Sequence, residues 1–123
     1  MVRALMVALG VSVVAVGAAR AEGDAAKGET VFKRCQPCHN ADNKTDKIGP
    51  YLHGVVGRKA GTAEGFIYSD AMKNSGLTWD EATLDQYLKD PKAKVPGNKM
   101  AFPGLPKKED RENVIAYLKQ QSG

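Results

Sequence analysis

Two cysteines and a histidine lie within five residues of each other, and they are the residues of this chain best suited to chemistry. The segment is Cys35-Gln36-Pro37-Cys38-His39, which holds both cysteines and one of the two histidines of the 123 residues. Four kinds of site use thiols at such close spacing: a structural disulfide, a thiol redox pair, a zinc site and covalently attached haem.

Three of these alternatives fit the sequence poorly. A disulfide across two residues closes a very small loop and adds little stability. A redox pair is typical of a junction between a strand and a helix, and no strand pattern flanks this segment. Zinc needs four ligands, and the distant His53 is a poor fourth partner for Cys35, Cys38 and His39. The Cys-x-x-Cys-His spacing favours haem c, with both thiols bound to the porphyrin and His39 on the iron.

The second axial position of a haem iron is filled by a side chain or open to a substrate. The candidates are Met72, Met100, His53 and a lysine. Met72 lies in a stretch that Ser69 can cap as a short helix ending at Gly76, where a methionine is typical of a core. Met100 lies in segment 96–104, whose two Pro-Gly pairs predict an irregular loop that can press a side chain onto a flat cofactor. Spacing alone leaves open whether Met100 is a ligand or a core residue.

The amino terminus has the pattern of an export signal. A positive start at Arg3 precedes an unbroken run of 16 apolar and small residues, from Ala4 to Ala19. Such a run is about 24 Å long as a helix, shorter than the roughly 30 Å hydrocarbon core, which favours cleavage over a retained membrane anchor. Ala19-Arg20-Ala21 fits a cleavage site. We expect residues 1–21 to be a cleaved signal peptide and the protein to be periplasmic.

Residues 22–123 form one domain, because 102 residues leave no room for a second. The full chain has 18 Lys and Arg against 14 Asp and Glu, a net charge of +4. Loss of Arg3 and Arg20 with the signal lowers this charge to +2. A charge this small argues against nucleic acid as a partner.

Three helices are predicted, and no alternating strand pattern of any length is present, so the fold class is all-α. The first covers 25–38 and is capped by Asp24. The second begins at Thr78, in a capping box with Glu81, and ends before Pro91.

The third predicted helix covers 107–120, with acidic residues in its first turn. Its buried face is Val114, Ile115, Tyr117 and Leu118. In the first helix, Gly28 predicts close approach by another backbone. Loop 40–66 is too long for a compact domain unless something inside holds it, and a haem would do so.

Taken together, these stretches resemble class I cytochromes c, and most closely the bacterial cytochrome c2 branch related to mitochondrial cytochrome c. Besides CQPCH, the matching stretches are GPYLHGVVGRKAG, GFIYSDAMKNSGLTW, PGNKMAFPG and VIAYLK, in the order and spacing of the family. The resemblance covers essentially the whole mature chain. It implies a small all-α fold of three main helices, short helical turns and long loops wrapped around one covalent haem c.

The resemblance also implies the iron site. Cys35 and Cys38 would form the thioethers, and His39 and Met100 would be the axial ligands. The carbonyl of Pro50 would accept a hydrogen bond from His39 Nδ1, which fixes the ring and leaves Nε2 for iron.

Further residues match positions around the cofactor. Arg58, Tyr68 and Trp79 match hydrogen-bond donors near the haem propionates, and Ser69 is expected to join them. Tyr87 matches a tyrosine that hydrogen-bonds the ligating sulfur.

Other matches concern packing or depart from the family. Gly28, Phe32 and Tyr117 match the crossing of the first and last helices. Met72 and Asn98 depart from the asparagine and threonine typical of mitochondrial relatives, which puts an internal water and one propionate contact in doubt. We interpret His53 as a surface histidine.

With both axial positions filled, the resemblance implies a one-electron carrier and not an enzyme. The alternative is a c-type haem peroxidase or gas sensor with an open iron position. A further alternative is an electron-transfer domain tethered to the membrane by an uncleaved signal.

The expected carrier is a monomer that serves respiratory or photosynthetic membrane complexes. Its implied donor is cytochrome bc1, and its acceptor is a terminal oxidase, a reaction centre or a reductase. Docking is predicted at a ring of cationic residues near the haem edge. These are Lys33, Arg34, Lys92, Lys94, Lys99 and Lys107.

Overall fold

The computed structural model describes Gly10 and residues 23–121. The predicted signal peptide and its cleavage site therefore lie outside the described residues, apart from Gly10. The helices are α1 Ala25–Phe32, α2 Asp70–Lys73, α3 Glu81–Lys89, α4 Pro91–Lys94 and α5 Lys108–Gln120. Across 23–121 no strand forms, and one isolated bridge pairs Lys59 with Thr78. The all-α prediction is confirmed.

Helix α1 begins where predicted but is shorter than 25–38. Asp24 caps it by accepting hydrogen bonds from two first-turn amides at 2.9 and 3.2 Å. The regular helix ends at Phe32, and residues 33–38 continue as turns. Pro37 explains the difference, because proline has no amide hydrogen and its ring clashes inside a helix.

Helices α1 and α5 cross in close contact. A Cβ built on Gly28 would lie 1.9 Å from the carbonyl oxygen of Asn113 and 2.8 Å from Tyr117 Cβ. The Phe32 and Tyr117 rings pack with centroids 5.3 Å apart. The Asp24 amide donates to Asn113 Oδ1 at 2.8 Å. The predicted close approach at Gly28 is confirmed.

Helix α3 begins at Glu81, and Asp80 is its cap. Asp80 Oδ1 accepts a hydrogen bond from the amide of Thr83 at 2.7 Å. The predicted capping box between Thr78 and Glu81 is therefore wrong. Thr78 instead pairs with Lys59 across the isolated bridge. It comes before Asp80 in the chain and is therefore too far from the first turn to cap the helix.

The two short helices have clear local causes. Ser69 caps α2 as predicted, with its Oγ accepting from the amide of Met72 at 3.1 Å. Pro91 ends α3, as predicted, but it also begins α4 with Asp90 as the cap. Proline is favoured at the first position of a helix because its missing amide hydrogen would be unpaired there in any case.

Helix α5 supplies much of the core. Val114, Ile115 and Leu118 are buried as predicted, and Tyr117 is half-buried. They pack with residues from α1, α3 and the loops, among which Leu105 is fully buried. No helix within the described ranges is long and apolar enough to span a bilayer.

Two polar residues of α5 are also buried, which the hydrophobic pattern did not predict. Arg111 Nε lies 2.7 Å from Asp85 Oδ1 on α3, and Arg111 also donates to the carbonyl of Leu105 at 2.9 Å. Asn113 pairs with the start of α1. Because each polar group has a partner, its burial is tolerated and the residue links separate elements.

Candidate functional site

The Cys-x-x-Cys-His segment forms a tight turn directly after α1. The amides of Cys38 and His39 both donate to the carbonyl of Cys35, at 3.1 and 3.0 Å. The two half-buried cysteines are not joined in a disulfide. Burial raises the pKa of the Cys35 thiol to about 11. Redox-active cysteines need a lowered pKa, so this environment does not suit a thiol redox pair.

Zinc has no ligand set in the described part of the chain. Among residues 23–121, no three His, Cys, Asp or Glu side chains come together in a way that could hold a metal ion. The ring of His53 is half-buried, with Nδ1 3.1 Å from the carbonyl oxygen of Ala41. The residue is partly exposed and packs in the loop, and the interpretation of His53 as a surface histidine without a ligand role stays a prediction.

The imidazole of His39 is held by the backbone that follows the turn. Its Nδ1 lies 2.7 Å from the carbonyl oxygen of Pro50. A carbonyl can only accept, so Nδ1 carries the hydrogen and Nε2 has the free lone pair that a metal ligand needs. Burial lowers the pKa of His39, which outweighs the opposing effect of the Pro50 bond. The ring is therefore neutral and oriented.

Gly49 makes this arrangement possible. A Cβ on Gly49 would lie 2.3 Å from His39 Cε1, well inside contact distance. The Gly49 amide also donates to the carbonyl of Cys38 at 2.8 Å. The imidazole thus lies directly against a backbone that must lack a side chain. The signal available in the sequence was the glycine directly before Pro50.

Met100 is half-buried in the irregular loop between α4 and α5, and it packs against the core. Tyr87 Oη donates to its Sδ at 3.8 Å. The Tyr87 ring packs in turn on Trp79, with centroids 4.8 Å apart. Met72 is also half-buried against the core. Of the two candidate methionines, Met100 has the sulfur that accepts a hydrogen bond from the predicted tyrosine.

The loop around Met100 is anchored at both ends. At its start, the side chain of Asn98 is buried and bonded to the carbonyl oxygens of Pro91, in α4, and of Val95, directly after it. At its end, the Leu105 amide donates to the carbonyl of Leu88 at 2.6 Å. Gly104 adopts a φ of +113°, and a Cβ there would lie 2.4 Å from the carbonyl oxygen of Lys89. Only glycine fits such a close approach in this conformation.

Arg58 presents an unsatisfied buried donor. Its NH2 donates to the carbonyl of Tyr51 at 3.0 Å, and its guanidinium lies 5.0 Å from the centroid of the Tyr51 ring. Arg58 Nε is buried with no hydrogen-bond partner. A buried donor without a partner is costly, and a carboxylate is the partner that guanidinium groups prefer. This position suits a propionate-bearing cofactor.

The other predicted propionate residues lie near Arg58. The amide of Trp79 donates to the carbonyl of Arg58 at 2.9 Å, and the Trp79 side chain is buried. Tyr68 Oη accepts from the amide of Ala63 at 3.0 Å, so its own hydrogen remains available to donate. Burial raises the pKa of Tyr68, which keeps that hydrogen in place. The Ser69 Oγ already accepts from α2.

The six predicted docking cations fall into two groups. Arg34 lies 3.6 Å from Asp110, and Lys94 Nζ donates to Gln86 at 2.5 Å. Lys92 is bonded to the loop of Met100. The side chains of the remaining three are exposed and make no hydrogen bond or ion pair to residues 23–121. They are Lys33, Lys99 and Lys107.

These donors fit covalent haem c. Two unlinked thiols follow one helix, a neutral imidazole has Nε2 free, and a hydrogen-bonded thioether lies in an anchored loop. An unpaired buried guanidinium nitrogen suits an anionic group. Thiols, imidazole and thioether are also the ligand types that haem proteins use.

Known proteins share this chain's sequence and fold. The family model described as cytochrome c matches residues 25–122. A cytochrome c2 from Rhodomicrobium vannielii is 54% identical over 98% of each chain, and one from Rhodoblastus acidophilus is 57% identical over 80% of this chain and 92% of its own. Among solved structures, cytochrome cH from Methylobacterium extorquens is 55% identical, with a TM-score of 0.77 over 80% of this chain and 99% of its own.

Proposed function

The chain belongs to the cytochrome c family and carries one covalent haem c, and from this premise we propose that it is a one-electron carrier with two protein ligands on the iron. Cys35 and Cys38 would hold the haem, and His39 and Met100 would bind its iron. One observation carries the proposal. Both ligand side chains are oriented by a second protein contact, Pro50 O at 2.7 Å from His39 Nδ1 and Tyr87 Oη at 3.8 Å from Met100 Sδ.

The protein prepares the two ligands differently. The bound haem supplies an iron that takes up and releases a single electron. The hydrogen bond to Pro50 makes the imidazole of His39 more basic and fixes its orientation. The thioether of Met100 is soft and uncharged, which favours the ferrous state and raises the reduction potential. Ligands held in this way change little in position between the two redox states.

The proposed propionate site uses residues around Arg58. Its unpaired Nε and the hydroxyl hydrogen of Tyr68 are donors that suit a carboxylate. The indole of Trp79 can donate from the same region, and Ser69, whose Oγ caps α2, is the fourth proposed donor. These donors would neutralise part of the charge that a buried propionate brings into the fold.

With His39 and Met100 both bound, the iron would have no site left for oxygen, peroxide or a diatomic gas. We therefore propose a carrier and not an enzyme. The peroxidase or sensor alternative requires a protein in which Met100 does not bind the iron.

We place the protein in the periplasm, after removal of residues 1–21, as a monomer that exchanges electrons with membrane complexes. Cytochrome bc1 is the proposed donor, and a terminal oxidase, a reaction centre or a reductase is the proposed acceptor. The cations without partners, Lys33, Lys99 and Lys107, flank the attachment turn and the Met100 loop. Positive side chains in this position favour brief, salt-sensitive docking to acidic surfaces.

An absorption spectrum of the haem-loaded protein tests the ligand set. We expect c-type bands together with the weak far-red band that reports methionine sulfur on ferric haem iron. Met100→Ala should abolish the far-red band. Met72→Ala is the matched control, because it removes the other half-buried methionine and should leave the band intact. A far-red band missing from the unmutated protein at neutral pH would overturn the two-ligand carrier.

Docking is tested separately through ionic strength. The rate of reduction by purified cytochrome bc1 should fall as salt increases, and Lys99→Gln should weaken this dependence. Lys44→Gln, a cation further along loop 40–66, is the control. A rate that is the same at low and high salt contradicts the cationic docking surface.

A further inference from the structure

We propose that Asn98 and Lys92 form a brace that positions Met100 on the iron, so that Asn98 is a positioning residue for the ligand and not a donor to the haem. The inference rests on the proposed function, because it assumes Met100 as the sixth ligand. It concerns residues that the sequence assigned elsewhere, Asn98 to a doubtful propionate contact and Lys92 to docking.

The side chain of Asn98 uses its full hydrogen-bonding capacity within the protein. Both hydrogens of Nδ2 are donated, to the carbonyls of Pro91 and Val95, each at 2.8 Å. Oδ1 accepts from the amide of Met100 at 3.0 Å and from Lys92 Nζ at 3.3 Å. An asparagine has two donors and two acceptor positions, so none is left for a propionate.

The geometry connects α4 directly to the ligand. Asn98 is only 5% exposed, so its bonds are protected from competing water. Its Nδ2 is anchored on the first residue of α4 and on the residue after that helix, while Oδ1 holds the amide of Met100 itself. Movement of Met100 away from its position therefore breaks a buried hydrogen bond or drags α4 with it.

Lys92 is the second residue of the brace, and it contacts Asn98 through its side chain. Its ammonium contacts the main-chain oxygen of Asn98 as well as Oδ1. Hydrogen bonds with a charged donor are stronger than neutral ones. The bonded ammonium is therefore committed to the loop, in contrast to Lys99, whose ammonium has no such contact among residues 23–121.

Loss of the brace should make Met100 easier to displace. Exogenous imidazole competes with the thioether for ferric iron, so its affinity reports how firmly the loop holds Met100. Asn98→Ala removes four side-chain hydrogen bonds, those to Pro91, Val95, Met100 and Lys92. Imidazole should bind this variant at least about tenfold more tightly, since each buried hydrogen bond is worth roughly a factor of five.

Two conservative variants separate positioning from general destabilisation. Asn98→Asp keeps an acceptor for the Met100 amide but loses both Nδ2 donors, so its imidazole affinity should lie between those of the unmutated protein and Asn98→Ala. Lys92→Gln should tighten imidazole binding about threefold to fivefold. Lys94→Gln is the control, because Lys94 Nζ bonds Gln86 on α3 and not the loop.

A second measurement is hydrogen exchange of the Met100 amide in the reduced, haem-loaded protein. It should be at least about tenfold faster in Asn98→Ala, with exchange in α5 changed less. An unchanged imidazole affinity and an unchanged Met100 exchange rate would overturn the brace, as would equal effects of Lys92→Gln and Lys94→Gln. If the unmutated protein lacks the far-red band, the proposed ligand set fails instead, and the exchange rate still decides whether Asn98 restrains the loop.

Discussion

His39 Nδ1 and the carbonyl oxygen of Pro50 are 2.7 Å apart, and the backbone of Gly49 lies against the same imidazole ring. The bond sets the tautomer of His39, and the missing side chain of Gly49 sets how closely the ring approaches. These two effects belong to adjacent residues, so a side chain added at Gly49 should displace the ligand by direct contact with its ring.

Gly49→Ala should destabilise the haem-loaded protein by about 2 kcal/mol or more, because the new methyl group would overlap His39 Cε1. The free energy of unfolding in denaturant measures this cost. Ile48→Ala is the control, since Ile48 is 82% exposed and its loss should change stability by no more than about 0.5 kcal/mol. Equal stabilities for Gly49→Ala and the unmutated protein would contradict the close packing.

Tyr87→Phe should lower the reduction potential by about 20–60 mV, as expected for a hydrogen bond of roughly 0.5–1.5 kcal/mol in a one-electron couple. The hydroxyl withdraws electron density from Met100 Sδ, so its removal makes the sulfur a better ligand for ferric iron. Redox titration measures the shift. Tyr117→Phe, on the α1–α5 crossing, should leave the potential unchanged. A potential that rises in Tyr87→Phe would show that the 3.8 Å contact does not act on the sulfur in this way.

Gly28→Ala should destabilise the fold by about 3 kcal/mol, because its methyl group would lie 1.9 Å from the carbonyl oxygen of Asn113. The sign of this change in stability is informative. In an open helix the same substitution stabilises by about 1 kcal/mol. Lys27→Ala, on the exposed side of α1, serves as the control. A Gly28→Ala protein as stable as the unmutated one would mean that α1 and α5 are further apart.

Asp80 should make the stability of the fold depend on pH in the acid range. Its bonds to Thr83 hold its pKa below the ordinary value of 3.8. The unfolded chain therefore binds the proton first as pH falls, and the stability due to ionised Asp80 is present above pH 3.8 and lost below it. Asp80→Asn keeps a cap without a charge. Denaturant unfolding at neutral pH and at pH 3 should show a difference between the two proteins that narrows in acid. If the difference in stability between the two proteins is the same at both pH values, the charge of Asp80 does not contribute to stability.

Local chemistry made part of the fold predictable from sequence. Asp24 and Ser69 were identified as caps because each is a short polar side chain just before an apolar helical pattern. Gly28 was predicted to lie at a close approach, since glycine inside a helix is costly without such a reason. The all-α class followed from the absence of alternating patterns.

The errors came from signals that compete at short range. Thr78 fitted a capping box, but Asp80 lies closer to the helical segment and caps α3 instead. Pro91 was interpreted only as the end of a helix, although the Asp-Pro pair also starts one. Pro37 was overlooked inside the first predicted helix, which therefore extended too far.

The candidate site also has one part that the sequence predicts and one part that it does not. The attachment segment can be recognised because its chemistry lies within five consecutive residues. The bonds of Asn98 could not be predicted, because they depend on where the carbonyls of α4 point once the loop has folded. The same holds for Arg58 Nε, whose lack of a partner emerges only from burial.

The crossing of α1 and α5 also has a consequence for the order of events during synthesis. Asp24 and Asn113 are 89 positions apart, so a chain that emerges amino terminus first cannot complete this contact until nearly every residue has been made. The two cysteines follow α1 directly and emerge long before α5. The fold thus leaves both thiols on an open chain until α5 has been made, so they are accessible before the ends of the protein close.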